Sequence, residues 1–303
     1  MTTPPICDYE GSDYQTSFWD KGGRAYEDQT EAIALKRLLP TRGHLLLELA
    51  AGAGRNTPRY TGFDQIVLLD YSRTQLEQAQ QRLGQSDRYI YVAADVYRLP
   101  FIEGLFDAAT MIRVLHHMAD APKALGRVKN VMGAGGVFIL EYANKLNLKA
   151  ILRYLLGRQS WSPFTREPVE FVELNFDFHP KAVRGWLEQL DFKVERTLTL
   201  SHFRMGFLKK IVPTNILVFF DSLFQWTGAW WQLSPSVFVK AKNAEQVARS
   251  APPSKQDNIL GYFKCPDCGT SPLIDQIEFL RCPGCGKKWE VKNGIYDFRE
   301  PIK

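Results

Sequence analysis

From residue 40 to residue 145, short apolar runs alternate with stretches of helical spacing. The first run, Leu45-Leu46-Leu47, stops at Glu48 and passes into Ala50-Ala51-Gly52-Ala53-Gly54. A strand that is apolar at every position is one covered on both faces, as in a parallel sheet. Ile66-Val67-Leu68-Leu69 closes on Asp70, and Tyr89 to Ala94 closes on Asp95. Phe106 to Ile112 leads into Arg113, and Gly135 to Glu141 makes a fifth strand. Between them, residues 24–38 place Ala25, Ile33, Ala34 and Leu38 on a helical face that ends before Pro40. Ser72 can cap a helix over 73–83. Another helix is predicted over 121–132. Strands alternating with helices specify an α/β chain with an open, doubly wound, mostly parallel sheet.

Ligands of such sheets bind at the carboxyl ends of the strands. Glu48, Asp70, Asp95 and Arg113 all fall at such ends. The loop after Glu48 has almost no side chains, so a ligand can lie against bare backbone. Asp70, 22 residues after Glu48, stands where a nucleoside ribose would be gripped through its hydroxyls. An ordinary tight turn is the alternative, because the full G-x-G-x-x-G of dinucleotide binders is missing.

Residues 1–22 are polar without a period, and Cys7 reads as a lone thiol in a tail. From 146 to 233 the pattern changes. Leu146 to Leu156 is helical in spacing, residues 158–178 read as a loop, and His179-Pro180 opens a helix over 181–190 that His179 would cap. Ile216, Phe219, Phe220, Leu223, Trp226 and Trp230 form a wide helical stripe behind the basic patch of Arg204 to Lys210. Two readings stand: a membrane-interface segment over 204–231, or a lid or dimer helix whose aromatics are buried.

Residues 244–258 have linker composition. Beyond them, Cys265-Pro-Asp-Cys268-Gly and Cys282-Pro-Gly-Cys285-Gly place four of the five cysteines within 21 residues. Two such knuckles specify a structural Zn²⁺ site closed by four thiolates, not a disulfide framework. A segment of this size is too small to fold without the metal. The formal charge of +5 falls to about +3 once four thiolates bind one Zn²⁺. That balance gives no argument for nucleic acid.

The ordered series E-L-A-A-G-A-G, L-L-D-Y-S, A-A-D-V-Y-R-L-P-F and F-D-A-A-T-M-I-R-V-L-H-H-M-A-D resembles the class I S-adenosylmethionine-dependent methyltransferases, nearest to the small-molecule branch of ubiquinone and menaquinone methyltransferases. The resemblance covers residues 24 to about 145, with Ala50 where that family has its first loop glycine. It implies a seven-stranded Rossmann-like sheet, with 192–200 and 236–240 as the closing antiparallel pair. It also implies that Glu48 and the backbone at Ala50, Gly52 and Gly54 face the cofactor's methionine end. Asp70 would take the ribose hydroxyls, Tyr71 would flank the adenine, and Asp95 and Val96 would meet its amino edge. Arg113 reads either as a further contact or as a surface charge pair. Arg24 and Tyr26 could reach the cofactor carboxylate. Asp107 reads as a strand-start residue. His116, His117 and Glu141 are the candidate bases, needed only for an un-ionised acceptor. The fourth strand lacks the Asn/Asp-Pro-Pro-Tyr turn of adenine and glutamine N-methyltransferases. The tail from Trp289 to Phe298 resembles the small zinc-ribbon proteins that partner tRNA and release-factor methyltransferases.

The expectation is a methyltransferase domain over 1–243, with substrate-covering insertions in 146–233, a linker over 244–258 and a zinc ribbon over 259–303 that shares few contacts with it. The acceptor is expected to be small and apolar or quinone-like. The alternatives are a tRNA, rRNA or protein acceptor recruited by the ribbon, or an idle cofactor-binding scaffold. Without a leader or a bilayer-spanning run in the sequence, the expected place is the cytoplasm, peripheral to a membrane if 204–231 is interfacial.

Overall fold

The computed structural model describes residues 4–84, 86–244 and 259–302. The strands are β1 (Gly43–Leu49), β2 (Phe63–Asp70), β3 (Tyr89–Ala93), β4 (Phe106–Met111), β5 (Met132–Ala143), β6 (Val169–Val172), β7 (Asn175–Asp177), β8 (Phe192–Leu200), β9 (Ser236–Asn243), β10 (Ile274–Asp275), β11 (Phe279–Arg281), β12 (Lys288–Lys292) and β13 (Ile295–Ile302). The α-helices are α1 (Ala25–Leu38), α2 (Arg73–Leu83), α3 (Ala121–Val131), α4 (Leu148–Leu155), α5 (Pro180–Gln189), α6 (Gly206–Ile211) and α7 (Thr214–Phe224).

β1 to β5 pair in parallel in the order β3-β2-β1-β4-β5, and antiparallel β9 and β8 close that side. Successive side chains of a strand point to opposite faces. Leu45, Leu47, Val67 and Leu69 therefore face α3 and α5, while Leu46, Ile66 and Leu68 face α1 and α2. Both faces are covered, which is why these runs show no alternation. Ser72 caps α2 by accepting from Gln75 N–H at 3.2 Å, and His179 Nδ1 caps α5 by accepting from Lys181 N–H at 3.1 Å. Asp107 Oδ2 accepts from His44 and Leu45 N–H at 2.8 and 3.0 Å, which ties down the start of β1.

Three expectations change. Among the described residues the sheet has eleven strands instead of seven: β13 pairs in parallel with the edge strand β3, Ile295 opposite Tyr91 and Asp297 opposite Ala93, and β12, β11 and β10 follow. The 158–178 loop contains the β6–β7 hairpin. The aromatic stripe is not one helix: α7 carries it from Ile216 to Leu223, and Trp226 falls on the 3₁₀ segment Gln225–Ala229, while Pro213 separates α7 from the basic α6.

The ribbon is also far from self-contained. The β3–β4 connection, residues 94–105, holds no α-helix. Its Phe101 is fully buried and stacks on Phe263 at 5.9 Å. Phe263, Trp289 and Phe298 join the same apolar cluster as Val92, Phe101 and Phe106. Each such side chain, fully buried, contributes about 1.5–3 kcal/mol. The expectation of few shared contacts therefore fails: the ribbon covers sheet surface that a crossover helix would otherwise cover. The linker proposed for 244–258 lies, apart from Ala244, outside the described residues.

Candidate functional site

The carboxyl ends of β1 to β4 open into a cleft of ≈ 130 Å³. Its floor is the turn after β1. Ala50, Gly52 and Gly54 have φ of 47, 55 and 71°, so the chain coils tightly in the left-handed region that glycine tolerates best. Ala50 is held there without being glycine, a conformation that costs of order 1–3 kcal/mol and is found mostly at functional sites. Gly54 supports the turn from behind. A Cβ there would lie 2.9 Å from Leu83.

Asp70 is buried at the tip of β2. Its Oδ2 accepts from Gly52 N–H at 2.8 Å and its Oδ1 from Ser72 N–H at 2.9 Å. Burial pushes its carboxyl up to about 6, against those two hydrogen bonds. Glu48 accepts from Thr57 Oγ1 at 2.6 Å and Tyr60 Oη at 3.2 Å, and burial pushes it up to about 7. Asp95 Oδ1 accepts from Tyr97 N–H at 2.8 Å. A carboxylate oxygen can accept more than one hydrogen bond, so Asp70 and Asp95 both retain acceptor capacity toward the cleft they line. Tyr71 and Val96 line the same cleft.

Arg113 also lines it, but its guanidinium is committed: Nε donates to Glu31 Oε1 at 2.6 Å. Its φ is 59°, and its backbone N–H donates to Glu141 Oε2 at 2.9 Å. Glu141 Oε1 accepts from Ser236 Oγ at 2.6 Å. Glu141 is thus buried beneath the cleft and fixes the turn that carries Arg113. His117 lines the cleft, its Nδ1 3.0 Å from the Leu174 carbonyl and its Nε2 3.4 Å from Tyr9 Oη. Burial lowers its pKa. His116 packs against it with ring centroids 4.0 Å apart and the rings tilted by 44°, outside the lining, and desolvation pulls its pKa well down. Arg24 and Tyr26 lie away from the cleft. Arg24 stacks over Phe18 and pairs with Glu27 at 3.4 Å. Tyr26 Oη donates to Asp221 at 2.5 Å.

The N-terminal segment forms part of the cleft that the sequence reading left out. Ile6, Cys7, Tyr9, Tyr14, Gln15 and Trp19 line it, and residues Gln15–Asp20 form a π-type helix. Trp19 lies 3.5 Å from the Arg55 guanidinium and 5.0 Å from that of Arg113. Glu10 clips the segment to the start of α2 by accepting from Arg73 N–H at 2.9 Å and Thr74 N–H at 3.1 Å. The aromatic group Tyr14, Phe18 and Trp19 was the available signal, and without a period it pointed to no sheet or helix face.

In the ribbon, the Sγ atoms of Cys265, Cys268, Cys282 and Cys285 all lie within 4.8 Å of one another. A tetrahedron of Zn–S bonds near 2.3 Å has edges of about 3.8 Å. The separations of 3.7 Å between Cys265 and Cys285 and 3.4 Å between Cys268 and Cys282 fit that geometry.

A Rossmann-like sheet with a side-chain-poor turn after β1 and acids ending β2 and β3 has the architecture of a nucleotide-binding fold. Residues 47–140 match the family of the methyltransferase domain. The chain is 28% identical over 165 residues to a demethylmenaquinone methyltransferase of Clavibacter sepedonicus, 54% of this chain and 59% of that protein. It is 29% identical over 113 residues to the ubiquinone/menaquinone biosynthesis C-methyltransferase UbiE of Saccharophagus degradans, 35% of this chain and 45% of that one. It thus spans under two thirds of the length of either relative. The fold is shared with a chain of the complex between the Haloferax volcanii Trm112 methyltransferase activator and a methyltransferase. The TM-score is 0.54 at 15% identity, over 76% of this chain and 96% of that one. Residues 47–140 of this chain thus match a methyltransferase domain, on a fold that the Haloferax chain shares.

Proposed function

We propose that this chain methylates a small, apolar, quinone-like acceptor from S-adenosylmethionine, and that its ribbon holds one structural Zn²⁺ on Cys265, Cys268, Cys282 and Cys285. The observation that carries the first part is the cleft itself. Two buried strand-end acids with spare acceptor capacity, Asp70 and Asp95, flank a turn of bare backbone. When bound, the cofactor supplies a methyl group already activated on a sulfonium, so the chain's task is mainly alignment. Asp70 would accept from the ribose hydroxyls and Asp95 from the adenine amino group. Tyr71 and Val96 would flank the base, and Gly52 would let it approach. Glu48 and Ala50 would bound the methionine end. Trp19 holds the guanidinium groups of Arg55 and Arg113 in place along the wall. Ile6, Ile112, Val114 and Met118 also line the cleft, which suits an apolar acceptor. His117, neutral at pH 7, could take a proton from an acceptor hydroxyl through Nε2. Glu141 acts by positioning Arg113.

The names of the two relatives support a quinone-like acceptor. The activator complex of the same fold supports a second reading of the ribbon, as an activator carried on the same chain. That reading leaves a tRNA, rRNA or protein acceptor as the alternative. The test is transfer of label from methyl-labelled S-adenosylmethionine to a demethylated naphthoquinol in detergent, run beside bulk tRNA, rRNA and protein. Label in the extracted quinol is expected. Label in RNA or protein alone would move the assignment to a macromolecule. Label nowhere, with cofactor product bound, would leave a scaffold.

A further inference from the structure

Within the single chain the aromatics of 204–231 are not buried as a lid would bury them: Ile216, Phe219, Phe220, Leu223, Trp226 and Trp230 are all exposed. Trp230 and Ile211 are each 76% exposed, and Leu155 is 69%. A face this apolar on a soluble surface marks a binding site. It is built from two places in the sequence. Asn147 caps α4, and Leu148 N–H donates to the Leu233 carbonyl at 2.8 Å, so α4 starts where the α7 segment ends. Within α4 only Ala150 is buried, and Leu148, Leu152, Leu155 and Leu156 share its outer side at helical spacing. No residue of α6 is buried, and α7 turns only Leu217, Val218 and Asp221 inward.

The charges on these segments are of one sign. Over 148–158 and 204–233 there are Lys149, Arg153, Arg158, Arg204, Lys209 and Lys210, against the single acid Asp221. Asp221 is fully buried on Tyr26 and His202. Lys209 and Arg204 are turned back onto Glu27. Lys149, Arg153, Arg158 and Lys210 form no ion pair among the described residues. An isologous dimer would set this patch against itself, cation facing cation with no acid to pair them. Lysine is also depleted at protein interfaces. Exposed Leu, Phe and Trp beside unpaired Lys and Arg fit the headgroup and acyl boundary of an anionic bilayer instead. No helix among the described residues is long and apolar enough to cross a membrane, so the geometry is of lying on the surface.

We infer that α4, α6, α7 and the Trp230–Trp231 turn form a docking face for an anionic lipid surface. This goes beyond the proposed reaction and does not depend on it, because vesicle binding is read without cofactor or acceptor. The test is co-sedimentation of the full chain with phosphatidylcholine vesicles, with and without phosphatidylglycerol. Binding is expected only with the anionic lipid, and it should weaken at high salt. K149E/R153E and F219A/W230A should each lower partitioning by about tenfold or more, with an unchanged melting temperature because all four side chains are exposed. Absence of binding at low salt overturns the inference. So does binding that both double variants leave intact. A wild-type dimer, by light scattering, that F219A/W230A converts to monomer would give the face to a second copy and overturn it as well.

Discussion

Asp70 is held as a buried carboxyl with two backbone donors, and it is pushed up to about 6 from an ordinary 3.8. A raised folded-state value means the native chain binds that proton more tightly than the unfolded one. The contribution of Asp70 to stability is then fully present below about 3.8 and is lost as pH rises through about 6. Hydroxyl donors favour the charged form, so a ribose should bind with opposite pH dependence. Affinity for S-adenosylhomocysteine should fall as pH drops from 7.5 through 6, and in Asp70→Asn the fall should be much shallower. Calorimetry across that range checks it; an identical slope in the variant would remove Asp70 from the site. Much of this was legible in the sequence, because an acid ending an apolar run has few structural uses. The roles of Arg24, Tyr26 and Glu141 were not. Arg24 is turned onto Glu27, three residues on, while Tyr26 and Glu141 are turned into contacts with Asp221 and Ser236 that no local pattern encodes.

At the scale of elements, β1 to β5 and their helices could be read because a strand buried on both faces must be apolar at every position. The β6–β7 hairpin could not. It is four and three residues long, carries Glu170, Asn175 and Asp177, and stands apart from the main sheet. The N-terminal segment escaped for another reason. Its side chains face a cleft, which imposes no period. It is clipped at Glu10 and pinned by Trp19 between two guanidinium groups, so it should act as a strap over the bound cofactor. A cation–π contact with partial burial contributes about 1–2 kcal/mol. Trp19→Ala should therefore speed release of S-adenosylhomocysteine by roughly fivefold to thirtyfold, and because Trp19 is buried it should also lower the melting temperature. Stopped-flow displacement measures the rate. A wild-type rate in the variant would reduce the segment to an outer cover.

Across the whole molecule, ribbon and sheet form one structure. β13 continues the sheet at β3, and Arg73 reaches Glu290 at 2.6 Å. Arg299 lies over the Tyr71 ring at 5.8 Å and donates to its carbonyl at 3.3 Å. The C-x-x-C knuckles declared a metal site in the sequence, but nothing in the pattern of β13 named β3 as its partner. Cys282→Ser, or chelation of the metal, should therefore lower the melting temperature of the entire chain in a single transition and weaken cofactor binding. Two separate transitions with intact cofactor affinity would mean an independent ribbon. The central claim is that the strand-end cleft is the S-adenosylmethionine site. Titration calorimetry of the wild type and Asp70→Ala with S-adenosylhomocysteine at pH 7.5 tests it most directly. The account predicts one site per chain in the wild type and a loss of about 1.5–3 kcal/mol in Asp70→Ala, the scale for a hydrogen bond to a charged group. Equal affinities in the two proteins, or no binding to the wild type, would contradict it.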